Sequence, residues 1–176
     1  MSINIKHFYD FVITPACLRL SSARPAIDSP VARKLVLFTF CQESLAGMYL
    51  RQVVPGGSYG VGRGVFMCEP NTHEWIWKEL SRQENNTLRE SVLGELPRNA
   101  VYPYNDQLMS NLIYAAMICR LRYWFVRAAL PENNLEAIAN YWGKYYQTDD
   151  QDLSKLGAKE IQFIENVKRL APEFVK

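Results

Sequence analysis

Histidine is scarce in this chain, cysteine is scattered and long apolar runs are missing, and each shortage removes a class of function. Only His7 and His73 supply imidazole. The four cysteines, Cys17, Cys41, Cys68 and Cys119, form no C-x-x-C pair and keep no zinc-ligand spacing with either histidine, so neither a metal centre nor a cofactor is expected. Their apolar contexts predict free buried thiols in a protein made in a reducing cytoplasm. The net charge of +2 and pI of about 8.3 fall short of the domain pI above ~9 and the basic stripe of a nucleic-acid binder, and no nucleic-acid partner is predicted. Leu108 to Cys119, the longest apolar candidate, is shorter than the ~20 residues that span a bilayer and runs into Arg120 and Arg122, so no membrane span is expected. Asp10 interrupts the apolar N-terminal stretch, which argues against a signal peptide. Period-2 alternation is also missing, limiting any sheet to a minor hairpin.

What remains is helical, and it centres on Ser29 to Val53. Ser29 followed by Pro30 reads as an N-cap with proline at the first helical position, and no proline follows until Pro55. Apolar residues on nearly every face from Leu35 to Leu50 predict a central helix surrounded by other elements. Within that stretch Glu43 is the one side chain charged in neutral water. A carboxylate so placed must be paired, neutralised or held in a cleft. Pairing to an arginine would make it structural. Gly47, one turn on, would instead leave room beside the carboxyl for a ligand or water.

The 176 residues suit one domain with a real core. Ile5, Phe8, Tyr9 and Val12 predict a docking helix ending before Thr14-Pro15, followed by an irregular segment from Cys17 to Asp28. A helix over 70–82 is expected, capped by Thr72, with Trp75 and Ile76 inward and Trp77 on another side, where it could stack on sugar or join the core. Residues 86–94 predict a short helix. A second long helix over 106–127 is expected, capped by Asn105 or Asp106, with Leu108, Leu112, Ala115, Ala116, Cys119 and Tyr123 on its apolar face. Arg120, Arg122 and Arg127 are read as its solvated side, or as a partner for Glu69 or Asp106. An aromatic helix over 135–146, a polar link over 147–157 and an amphipathic helix over 158–170 complete the chain. The expected organisation is a helical domain over 1–148 and a C-terminal linker and helix over 149–176 packed on it.

Five of the nine glycines crowd into residues 56–64, a loop that must turn tightly or approach a ligand closely. Gln42-Glu43-Ser44, then this loop, Gly64-Val65-Phe66-Met67, Glu69-Pro70, Thr72-His73 and Trp142…Tyr145-Tyr146 together resemble the motifs of lysozyme-like lytic transglycosylases, and most closely a group of small phage-encoded proteins of that type. The resemblance covers about residues 27–148. Met67 stands where the family has glutamine, and Arg63 lies in a loop that is normally small and neutral.

The resemblance implies an all-α, lysozyme-like domain (goose-type or transglycosylase-like) around a buried central helix. It further implies a phage protein that cleaves the β-1,4 bond of the peptidoglycan glycan strand. Made in the host cytoplasm, such a protein would be associated with other virion proteins, delivered to the host periplasm and cell wall, and used during genome ejection. Glu43 is the expected acid, since apolar surroundings raise a carboxyl pKa toward neutrality. Ser44, Gly62, Gly64, Phe66 and Met67 are the expected cleft residues, with Tyr141, Tyr145 or Tyr146 as a positioning hydroxyl. No spacing guarantees a second carboxylate, for which Glu69 and Glu74 are nearest. The transglycosylase-like variant implied by the resemblance needs only one. The competing expectation is a structural or ejection protein of the virion that keeps the scaffold without the chemistry, which the departures at Met67 and Arg63 favour.

Overall fold

The computed structural model describes residues 3–147 and 153–175, which are mostly helical with one two-stranded sheet. Its centre is helix α3 (Pro30–Ser44), entered as the sequence predicts: Ser29 Oγ accepts from the Ala32 N–H at 3.1 Å and Pro30 takes the first position. Leu35 to Cys41 are each at most 1 % exposed, so α3 is walled on every side. Thr39, the one hydroxyl in that run, donates to Leu35 O at 2.8 Å and lies 2.8 Å from the Tyr123 hydroxyl. Burial without an unmet donor is thereby maintained.

Helix α3 does not continue toward Pro55. Leu45, Ala46 and Gly47 take left-handed φ angles of 49°, 58° and 77°. Ser44 supplies the stop: its Oγ donates to Phe40 O at 3.1 Å and accepts from the Gly47 N–H at 3.0 Å, meeting groups that the final turn leaves open. Glu43 therefore lies in the last turn of the helix. Gly47 leaves no room at the carboxyl, because a Cβ there would meet Ile3 Cδ1 at 2.6 Å. The space belongs to the N-terminal segment, whose Ile3 N–H donates to Ala46 O at 2.9 Å.

That segment corrects a second expectation. Helix α1 (Ile5–Phe8) passes through a wide turn over Tyr9–Ile13 into α2 (Thr14–Ala23), and a short 3-10 turn occupies Pro25–Ile27. The Thr14 N–H bonds Tyr9 O, five residues back, and this widening carries the chain past Pro15, whose missing N–H and bulky ring would break a regular ladder. Phe8 stacks on Phe40 with ring centroids 3.8 Å apart, docking the segment on α3.

The glycine-rich loop forms the hairpin of β1 (Arg51–Val53) and β2 (Tyr59–Arg63), antiparallel with Arg51 opposite Arg63 and Val53 opposite Tyr59. Helix α4 (Pro70–Leu80) starts at its proline, but Thr72 does not cap it; Glu69 holds the cap position without a side-chain bond. Trp75, expected inward, is instead exposed against Phe125, and Trp77 takes the core alternative. Helix α5 (Asn86–Leu93) follows as predicted.

The predicted helix over 106–127 is two. Asn111 is extended, and its Oδ1 accepts from the Tyr114 N–H at 3.0 Å, so a short α6 (Gln107–Ser110) ends there and α7 (Leu112–Phe125) begins. Asn105 is elsewhere engaged, on His73. Arg120 is not solvated but buried, with Nε donating to Ile27 O at 2.7 Å. Helix α8 (Leu135–Tyr145) is capped by Asn134. Helix α9 (Leu153–Leu170) packs on both α3 and α8, starting inside the stretch expected to be a link. Residues 148–152, where the expected boundary falls, lie outside the described residues. Among the described residues no helix is long and apolar enough to cross a membrane.

Candidate active site

A groove of about 710 Å³ runs between the end of α3, the hairpin and helix α9, and Glu43 faces it. The carboxylate is held at Oε1 by two neutral donors, Trp142 Nε1 at 2.9 Å and Gln147 Nε2 at 3.2 Å. Gln147 is fixed in turn by Lys159 Nζ, 3.3 Å from its Oε1, which sets which end of the amide meets Glu43. Among the described residues, the hydrogen bonds to Glu43 thus come from neutral groups, not from the arginine of a purely structural ion pair.

Burial raises the Glu43 pKa to about 7, against the lowering effect of the Trp142 and Gln147 hydrogen bonds and of the Arg122 and Lys159 charges. Its position acts in the same direction as burial, since the last turn of α3 presents the negative end of the helix dipole to a carboxylate. At neutral pH the group is divided between acid and base forms, as a side chain that both gives and takes a proton requires.

The other predicted residues separate. Of Tyr141, Tyr145 and Tyr146, Tyr146 lines the groove; its hydroxyl donates to Phe66 O at 2.6 Å, and the Arg122 guanidinium lies 4.0 Å from its ring centroid. Tyr141 turns away, its hydroxyl 3.4 Å from Ala128 O, and Tyr145 packs on Tyr141 at 4.6 Å. Met67, at φ 46°, and Glu69 line the groove. Glu74 is exposed elsewhere. Ser44 acts as the helix stop described above. Phe66 is core, with only its carbonyl engaged by Tyr146. Gly62 is buried against Gln52 and Met67. Gly64, at φ 71°, lies so close to α6 that a Cβ would fall 1.9 Å from Leu108 O. The glycines thus shape the groove wall from behind.

His73 is buried in a closed chain of hydrogen bonds. Trp77 Nε1 donates to the Tyr114 hydroxyl at 2.9 Å, which leaves that hydroxyl to donate to His73 Nε2 at 2.6 Å and His73 Nδ1–H to donate to Asn105 Oδ1 at 2.9 Å. Burial lowers the His73 pKa, consistent with a neutral ring. This accounts for Trp77 as core. Arg63, the unexpected loop cation, stands 3.6 Å from Asp106, and it does not line the groove.

Gln147 and Lys159 are not expected from the sequence, Arg122 is expected on a solvated face or beside Glu69 or Asp106, and Trp142 has no expected role. Only Trp142 carried a signal, as part of the Trp142…Tyr145-Tyr146 spacing. All four cysteines are buried and free, and burial pushes Cys17, Cys41 and Cys68 up to about 12, leaving them inert as nucleophiles. Among the described residues no group of three or more His, Cys, Asp or Glu side chains could hold a metal ion. No family model, curated protein or solved structure matches the chain.

Proposed function

We propose that the chain is a lysozyme-like protein of phage type that binds the peptidoglycan glycan strand and cleaves its β-1,4 bond, with Glu43 as acid and then base. The observation that carries this reading is a single carboxyl of pKa about 7 facing a groove of about 710 Å³. Because Trp142 and Gln147 both bond Oε1, the acidic proton belongs on Oε2, with the second oxygen left for the sugar. Protonated Glu43 gives that proton to the glycosidic oxygen as the anomeric C–O bond breaks, and the substrate's acetamido group supports the positive centre. The resulting carboxylate takes the proton of the sugar's own 6-hydroxyl as that oxygen closes onto the anomeric carbon, releasing an anhydro product and restoring the acid. Glu69, in the same groove, is the residue that would direct a water instead and give a hydrolysed product.

Arg51, Arg122, Gln52 and Gln162 add donors along the groove, suited to the acetamido and carboxylate groups of cell-wall glycan. Delivery would be in the virion, with the cell wall met during genome ejection.

The test is release of soluble muropeptides from purified peptidoglycan by the wild-type chain and by Glu43→Gln, with products separated by mass. Release of 1,6-anhydro products by the wild type and loss in the folded variant supports the reading. No release by either protein, where a known muramidase works, overturns it in favour of a virion structural or ejection protein on the same scaffold.

A further inference from the structure

A second cavity of about 510 Å³ lies beyond the end of α7, bounded by the Glu84-Asn85 turn and the segment from Trp124 to Leu130. It contains an unmet charge. Arg120 is 2 % exposed; its Nε is bonded to Ile27 O, its Nη1 is buried without a hydrogen-bond partner, and among the described residues it forms no ion pair. The Trp124 ring, 5.8 Å from the guanidinium carbon, is a weak substitute for an anion. A buried cation is costly unless paired, and removing such a charge to an apolar side chain is often neutral or stabilising, so its presence calls for a partner. Arg127, exposed and held at φ 58°, lines the same cavity and adds a second cation there.

We propose that this cavity binds a small organic monocarboxylate, its carboxylate between Arg120 and Arg127 and its apolar body against Trp124 and Leu130. The planar fork of N–H donors on a guanidinium matches one planar carboxylate. The mixed apolar wall and the exposed Glu84 at the rim weigh against a strongly hydrated dianion such as phosphate. Burial of Arg120 disfavours its cation, an effect that a bound carboxylate reverses. The site is separate from the Glu43 groove, and this inference does not depend on the reading of that groove.

Phenylacetate titrated into the full chain, followed by calorimetry and by the NMR signals of the Arg120 Nε–H and Trp124 indole, tests the assignment against inorganic phosphate as the competing probe. Saturable phenylacetate binding that moves both signals, weakens about threefold in Arg127→Gln and vanishes in Arg120→Met is the expected result. The absence of saturable binding, binding unchanged in the variants, or tighter binding of phosphate would overturn it. Arg127 is exposed, so its variant decides the matter even if Arg120→Met fails to fold.

Discussion

The indole N–H of Trp142 donates to Glu43 Oε1 across 2.9 Å, tying α8 to the last turn of α3. The same indole packs on Phe163 of α9 with ring centroids 4.9 Å apart, so one side chain joins three helices at Glu43. Trp142→Phe keeps most of the ring contact and removes the bond. Since that bond lowers the Glu43 pKa, the variant's Glu43 should titrate above the wild-type value, measured by carboxyl-carbon NMR, and its stability should fall by about 1–2 kcal/mol in urea. An unchanged Glu43 titration would refute the coupling.

Glu43 also makes stability depend on pH. Its pKa is raised from 4.5 to about 7, so between those values the folded chain holds a proton that the unfolded chain has lost. Stability therefore falls as pH rises through that window and levels off above it. Glu43→Gln removes this dependence. Urea unfolding should find the variant more stable than wild type at pH ~8, by on the order of 2 kcal/mol after allowance for solvent in the open groove, with the advantage gone near pH ~4. On the proposed function, glycan cleavage should decline above pH ~7 as the acid form of Glu43 is lost.

Tyr146→Phe leaves the Phe66 carbonyl without its 2.6 Å donor in a buried setting. A loss of about 1–3 kcal/mol is expected, together with faster amide exchange in the turn around Gly64 to Met67. A variant as stable as wild type would refute the claim that this hydroxyl anchors the groove wall.

Two glycines separate close approach from loop geometry. Gly64→Ala places a Cβ 1.9 Å from Leu108 O, whereas Gly57→Ala, at φ 81°, meets nothing within 4 Å. Thermal unfolding should register about 1 kcal/mol for Gly57→Ala from backbone strain alone and roughly 3 kcal/mol or more for Gly64→Ala. Equal losses would mean that the hairpin does not press on α6.

Local signals were legible where a single residue determines the outcome. Ser29-Pro30 marked the start of α3, Pro70 began α4, and the glycine density marked a hairpin. Glu43 stood out because its neighbours are apolar, and the structure does give it a raised pKa. The misreadings have a shared origin in interactions that no local pattern carries. Pro15 looked like a helix end because the wide turn preceding it has no sequence signature. The length of α3 was overestimated because Ser44, not proline or glycine, ends it. Arg120 looked solvated because its partner, Ile27 O, lies 93 positions away. Gln147 and Lys159 carry no sequence signal, and Arg122 reads as solvated or as a partner for another carboxylate, because what brings them to Glu43 is the packing of α7, α8 and α9.

Asn166 Nδ2 donates to Gln42 Oε1 at 2.9 Å, across 124 positions of chain, directly beside Glu43. During synthesis, Glu43 is therefore made well before the α9 residues that line its groove. A nascent chain still lacking α9 carries Glu43, Trp142 and Gln147 without Lys159, Gln162 and Asn166 across from them, so the groove is walled on that side only once α9 is in place. Cleavage within that helix after folding would run the sequence in reverse, opening the groove while leaving Glu43 in place.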